Sequence, residues 1–373
     1  MTVLLIILGA LSLVGIVILH ELGHFYAARR SGVEVDEFGI GFPPKAKTIG
    51  HKNGTEYTLN WLPLGGFVRL KGESDSDTSP GSFGSARLRD KVKIMLAGVA
   101  INLITAIVLF SLIALAGLPK IFDDQFVIES DNTIVTQEVI VAALGEGSPA
   151  DQAGIEQRDD IRSIAGGETF TIDTDDDLIN ATESLAGQEV SVVYARDGAE
   201  QSVDVQLRSQ ETVEASRQTD EPVGYLGVVP VEYSEQRATW SAPIVGAVFT
   251  WQITVETLDI FGDVFRDLFR GDTSTAQENV VGVVGIGDAL GQLAEQGLKS
   301  VALLIALISL SLAIMNALPI PALDGGRLFV ILLYRLIRKP LTKETEERIH
   351  GTGFMLLMVL FVLITIVDIQ RIF

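Results

Sequence analysis

The chain has 373 residues, 47% of them hydrophobic, a mean hydropathy of +0.36 and a formal net charge of −20. The apolar content is gathered in blocks, which excludes an ordinary water-soluble globule and indicates a polytopic membrane protein. No cysteine is present, so disulfides and thiolate metal sites are excluded; residues 118–300, with 10 Lys/Arg against 34 Asp/Glu, argue against nucleic acid as a partner.

Residues 2–27 have the length and composition of a first membrane span. They carry His20-Glu21-Leu22-Gly23-His24. On a helix the two imidazoles fall at i and i+4, on one face and one turn apart. Both nitrogens then reach one zinc ion, and Glu21 stays free to work as a base. Three ionisable groups in a membrane are costly, so they mark a functional site. The bland alternative is a pair of interface histidines with a snorkelling Glu. The stretch lacks a basic leader, and His20 to Arg30 stand where a cleavage site would, so it is read as retained rather than as a secretory signal.

Loop 28–93 holds 11 Lys/Arg and 8 Asp/Glu. Within it, residues 58–70 have strand-like stretches around a Pro63–Gly66 turn. They are too short to span, and form either a hairpin dipping into the membrane or a plain cytoplasmic one. Residues 72–82 are expected to be a polar, mobile loop. The second span covers about 94–117. A mixed soluble region follows: strands at 189–196 and 201–207 around an Asp197-Gly198 turn, and a helix over Thr174 to Ala186. In 240–270, Ile244, Val248, Trp251, Val255, Leu258, Phe265 and Leu268 recur at spacings of three and four beside Glu256, Asp259, Asp263 and Asp267. That predicts an amphipathic helix, lying at the outer interface or packed on protein. The third span covers about 300–318 and the fourth about 350–367. His51 and His350 fall in polar connecting segments and are expected to be ordinary surface residues.

The basic loops 28–93 and 327–348 set the orientation, both cytoplasmic, with the acidic middle and both termini outside. The first and third spans then end on the same side, one at His20 and His24 and the other at Asn316 to Asp324. A catalytic zinc site wants three protein ligands and an open position. With no cysteine, a carboxylate is needed, and Asp324 follows a Pro-broken helix end and precedes two glycines that let the backbone aim it inward. The alternative is a turn Asp at a helix terminus.

HELGH at 20–24 with Asn316-Ala317-Leu318-Pro319-Ile320-Pro321-Ala322-Leu323-Asp324-Gly325-Gly326 resembles the site-2 protease family of intramembrane zinc metalloproteases, in its bacterial RseP-type branch with an inserted PDZ domain. Pro63-Leu64-Gly65-Gly66-Phe67-Val68 is similar to the family's membrane-associated β-hairpin, and Ala97 to Asn102 to a second-span segment. Gly147 to Ile155 and Asp159 to Gly166 look like a bacterial PDZ domain, with Arg158 where a Gly is usual. Gly282 to Ile286 matches a family segment that usually has Pro in place of Val283.

The resemblance implies four transmembrane helices: a membrane half over 1–118, a PDZ domain over 119–235, an amphipathic helix and linker over 236–299, and a second membrane half over 300–373. It implies that His20, His24 and Asp324 bind Zn2+ and that Glu21 activates water. Asn316 is a candidate oxyanion donor, or else makes a helix-capping or interhelical hydrogen bond. Gly65, Gly66, Phe67 and Val68 are candidates for pairing with a substrate strand. The implied partners are the lipid bilayer and single-span membrane proteins, often pre-cut by another protease, such as anti-sigma factors or signal-peptide remnants. The implied location is a bacterial inner membrane, with the active site near the cytoplasmic face and the PDZ domain outside, capturing peptide ends or filtering by size. The rival reading is an inactive membrane scaffold whose PDZ domain recruits partners.

Overall fold

The computed structural model describes residues 1–372 except 197, 220–221, 273–274 and 276–279. Asp197 of the expected turn, and the side chains of Pro63, Leu64, Phe265 and Leu268, lie outside the described residues. The chain divides into two compact units, Met1–Ile113 with Pro243–Phe373, and Ala114–Ala242.

In the first unit, α1 (Thr2–Arg30) leads into strands β1 (Val35–Lys52) and β2 (Thr55–Leu70). Asn53 and Gly54 join the strands with φ of 51° and 83°, the left-handed pair of a tight hairpin turn. Both strands bend, so they make four rows. Residues 45–52 pair with 55–60, and residues 37–40 pair with 56–59 on one side and 66–69 on the other (Phe38 opposite both Tyr57 and Val68). The expected hairpin around Pro63–Gly66 is therefore corrected: its two arms do not pair with each other, because residues 37–40 lie between them. Gly39 permits this, since a Cβ there would stand 2.3 Å from the Phe67 ring.

Residues 72–82 form a loop, as expected. Its backbone is tied by Glu34 N–H to Gly81 O and Phe83 N–H to Lys71 O, at 2.9 and 2.8 Å. Phe83 is fully buried beneath it. Lys91, also fully buried, pairs with Asp75, and the Asp75 N–H donates to Glu346 at 2.9 Å. These polar groups satisfy one another where the loop meets the fold, while Ser76, Thr78, Ser79 and Pro80 stay exposed. This pairing also lets α2 (Leu88–Ala116) begin before the apolar block at 94, since the charge of Lys91 is matched inside the fold.

The second unit is an antiparallel sheet with short helices. Its elements are β3 (Leu118–Pro119), β4 (Thr133–Leu144), α3 (Pro149–Gln152), β5 (Asp160–Ala165), β6 (Thr169–Thr171), α4 (Asp175–Ser184), β7 (Glu189–Arg196), β8 (Ala199–Gln206), α5 (Gln210–Ser216) and β9 (Val228–Arg237). The strand order is β3-β9-β4-β5-β7-β8, with β6 on β5. A capping box between Thr174 and Asp177 starts α4. Its Leu178 and Ala181 join Ile161, Ile164, Val190 and Val192 in one core. Each large aliphatic side chain there contributes roughly 1.5–3 kcal/mol. Arg158 takes φ of 76°, the left-handed conformation for which Gly is usual.

The chain then returns to the first unit with α6 (Ala242–Arg270), α7 (Val283–Gln296), α8 (Leu298–Ala317), α9 (Asp324–Leu336) and α10 (Lys343–Ile372). On α6, Phe249 meets Phe110 of α2 with ring centroids 5.0 Å apart, and Gly246 abuts Ser111. The apolar stripe through Ile244, Trp251, Val255 and Leu258 faces outward instead. Asp368 of α10 holds the start of α7, accepting from Gly282 and Gly285 N–H at 3.2 and 2.9 Å. Among the described residues, five helices are long and apolar enough to cross a membrane: α1, α2, Ala242–Val264 of α6, α8 and α10. Exposed Leu4, Leu112, Leu356 and Leu363 on three of them are stable only against lipid. The chain is a multi-pass membrane protein.

Candidate metal centre

His20 and His24 lie one turn apart on α1, both 7% exposed. Asp324 opens α9 immediately after the broken end of α8. Asp324 Oδ2 stands 3.1 Å from His20 Nε2 and 3.0 Å from His24 Nε2, and the two Nε2 atoms are 3.1 Å apart. Ligands of a tetrahedral zinc ion with bonds of about 2.0–2.1 Å would sit roughly 3.3 Å apart, so the spacing fits one ion. Among the described residues this is the only group of three or more metal-binding side chains placed to share an ion.

The surrounding hydrogen bonds decide what these nitrogens can do. His24 Nδ1–H donates to Ile94 O at 2.8 Å, which leaves its Nε2 as a bare lone pair. His20 Nδ1 lies 3.3 Å from the Asn102 amide, and Asn102 Oδ1 is buried without a partner. Exchanging the amide oxygen and nitrogen lets Oδ1 accept from His20 Nδ1–H and removes the orphan. Both Nε2 lone pairs then point at each other and at a carboxylate, an arrangement that a shared cation stabilises. α2 comes this close because Gly98 has no side chain: a Cβ would fall 2.5 Å from His24 Nε2. Gly23 likewise lies on Ala97 O. Sequence reasoning quoted Gly98 and Asn102 only as part of a resemblance. Their signal was a Gly and an Asn four apart on an otherwise apolar span.

Glu21 lies beside the strand rather than among the ligands. Its carboxylate lies close to the Val68 backbone N–H, and its Cγ is 3.6 Å from where a Gly66 Cβ would be. Gly65, with φ of 85°, rests against Val17 of the same helix. Gly66 to Val68 thus lie along the α1 turn that carries Glu21. Their inner edge pairs with 38–40, and among the described residues no further strand joins the outer edge. Asn316 donates to Leu312 O of its own helix at 2.9 Å.

The turn that presents Asp324 is dense. Cβ atoms on Gly325 and Gly326 would collide with Ala317 O and Ile320 O. Arg327, one turn beyond Asp324, reaches Glu346 of α10 at 3.6 Å and Glu73 of the packed loop at 3.5 Å. His350, expected to be an ordinary surface residue, is half-buried, and its Nδ1 accepts the Ala322 N–H at 3.1 Å. With Asp324 and Glu346 it lines an open cavity of about 740 Å³.

Apolar helices holding a His-His-Asp cluster beside a separate carboxylate define a membrane protein with the donor set of a hydrolytic metal centre. A family model described as Peptidase family M50 matches residues 8–360. A Clostridium perfringens protein assigned as a zinc metalloprotease is 31% identical over 369 residues, 98% of each chain. Zinc metalloprotease RasP of Geobacillus kaustophilus is 28% identical over 452 aligned positions, covering 99% of this chain and 97% of that one. RasP of Shouchella clausii is 27% identical over 439, covering 96% and 97%. The chain belongs to peptidase family M50.

Proposed function

We propose that this chain is a zinc-dependent intramembrane endopeptidase of the site-2 type, with His20, His24 and Asp324 as ligands. One observation carries the reading: two imidazole nitrogens and a carboxylate oxygen, about 300 residues apart in sequence, meet at 3.0–3.1 Å. The zinc named in its relatives fits that donor set. Zinc held there supplies Lewis acidity, acidifying a water and polarising the scissile carbonyl. Glu21 takes the proton and returns it to the leaving amine. The Val68 N–H close to the Glu21 carboxylate is placed to orient it, coupling the base to the strand beside it. Asn316 is proposed as a secondary contact to the developing oxyanion, through the amide hydrogen that its helix bond leaves over.

The substrate is a spanning segment, possible only once locally unwound, since helical amides are otherwise satisfied. Gly65, Gly66, Phe67 and Val68 receive that stretch by strand addition along their outer edge.

Topology supports four full spans. If Asp324 is to reach both imidazoles, α1 and α8 must end on the same side. α2 is then the return, and an even number of crossings must separate it from α8. α7, with 14 residues, reaches only about 21 Å against a core of about 30 Å, so α6 cannot cross alone. Its outward apolar stripe suits the outer interface. The basic loops favour a metal centre near the cytoplasmic face of a bacterial inner membrane, with the 119–235 PDZ domain outside it. The substrates are single-span proteins, pre-cut outside the membrane, such as anti-sigma factors or signal-peptide remnants.

The test is E21Q in the full chain, assayed on a single-span reporter in the membrane. Cleavage should stop while zinc stays bound. Unchanged cleavage refutes the reading, and intact function in chains lacking zinc would favour the scaffold.

A further inference from the structure

We propose that His350 is a positioning residue that holds the Asp324 carboxylate on the metal by fixing the backbone of Ala322. The inference rests on the assignment of Asp324 as a ligand.

Ala322 has φ of 81°. An L-residue is disfavoured there because its Cβ crowds the neighbouring carbonyl oxygen. Something must hold it, and the Ala322 N–H has one partner, His350 Nδ1 at 3.1 Å. Accepting at Nδ1 puts the ring proton of the neutral imidazole on Nε2. One turn further along α10, Gly353 lies on the same segment, where a Cβ would come 2.4 Å from Pro321 Cβ and 2.6 Å from Pro321 O. Two positions on one face of α10 therefore grip the segment just before the ligand.

The segment has little other slack. Leu323 N–H donates to Ile320 O at 3.1 Å, and Arg327 N–H to Leu323 O at 2.9 Å. Gly325 and Gly326 are packed so closely on the carbonyls of Ala317 and Ile320 that no side chain fits. Asp324 comes two residues after Ala322, so relaxation of Ala322 towards a negative φ re-aims the carboxylate. Ligand distances to zinc tolerate only about 0.2 Å. A hydrogen bond from a helix 28 residues away thus sets the aim of the third ligand.

The test uses the full chain purified in detergent and measures zinc content and the rate of zinc loss to a chromogenic chelator. H350F keeps a ring of similar size but has no acceptor. It should lose zinc about fivefold faster, the factor expected for one ordinary hydrogen bond. H350N, whose side-chain oxygen can stand in for Nδ1, should match the wild type. A322G in the H350F background should restore slow release, since glycine adopts the left-handed conformation without the L-residue cost. A purely structural role for the ring would not be rescued by a change at Ala322. Equal release from wild type and H350F, or a double variant no better than H350F, overturns the inference while zinc binding stands. A wild-type chain that retains no zinc removes the ligand assignment and this role together.

Discussion

Adding one methyl group at Gly98 should empty the metal centre. A Cβ there would lie 2.5 Å from His24 Nε2 and 2.6 Å from His20 Nε2, where ordinary contact begins at 3.4 Å, a shortfall of about 0.9 Å. The imidazoles cannot easily yield. His24 is tied to Ile94 O and His20 to Asn102, and both partners sit on α2 with Gly98. The movement required exceeds the ~0.2 Å tolerance of a zinc–ligand bond several-fold. Separating the helices to make room costs about 1–3 kcal/mol of packing. We expect G98A to lose zinc affinity by about 100-fold or more, equivalent to about 2.7 kcal/mol. The assay is chelator competition on the purified chain, with helix content followed in parallel. G15A is the control, because a Cβ at Gly15 meets nothing within 4 Å and should leave affinity unchanged. If G98A binds one zinc within about threefold of the wild-type affinity, the deduced arrangement of α1 against α2 is wrong.

Three further outcomes are expected. N102L, which removes the partner of His20 Nδ1, should weaken zinc binding by about 10–100-fold with the fold retained, read by the same competition. R158G should raise the thermal midpoint of the Ala114–Ala242 unit, worth about 1 kcal/mol, since it relieves a left-handed L-residue; a lower midpoint would show that the Arg158 side chain matters more than its backbone. Burial alone would raise the Asp131 carboxyl. Hydrogen bonds from the side chains and N–H groups of Ser241 and Thr239 outweigh it and hold the group well below the usual carboxylate range. A depressed folded-state pKa contributes stability above the unfolded value of about 3.9 and loses it as pH falls below that. D131N should therefore flatten the acid limb of stability below about pH 4, read by denaturation at stepped pH.

The features legible in the sequence were those with short-range or compositional causes. HExxH could be read because helical geometry puts i and i+4 together wherever the helix goes. The long apolar blocks announced themselves by length. Asp324 was legible only through its Pro and Gly neighbours and a family likeness. The four-row sheet was not, because residues 37–40 choose partners on both sides and Asn53-Gly54, a strong turn signal, lay outside the stretch under attention. The role of His350 was not legible, because a polar residue in a polar segment reads as solvated, whereas this one is half-buried and bonded to Ala322. The stripe on α6 was found, but lipid makes the outward face the apolar one.

The sequence by itself determined that spanning helices exist, that two imidazoles share a helical face, and which side of the membrane the basic loops prefer, since hydrophobic length, helical period and charge are properties of short segments. Only the tertiary structure decided that Asp324 meets those imidazoles, that Gly98 and Asn102 shape their surroundings, and that His350 grips the turn before the carboxylate. Those relations depend on how closely separate helices approach, and the approach distance is set by the absence of a side chain at a few contact points far apart in the chain.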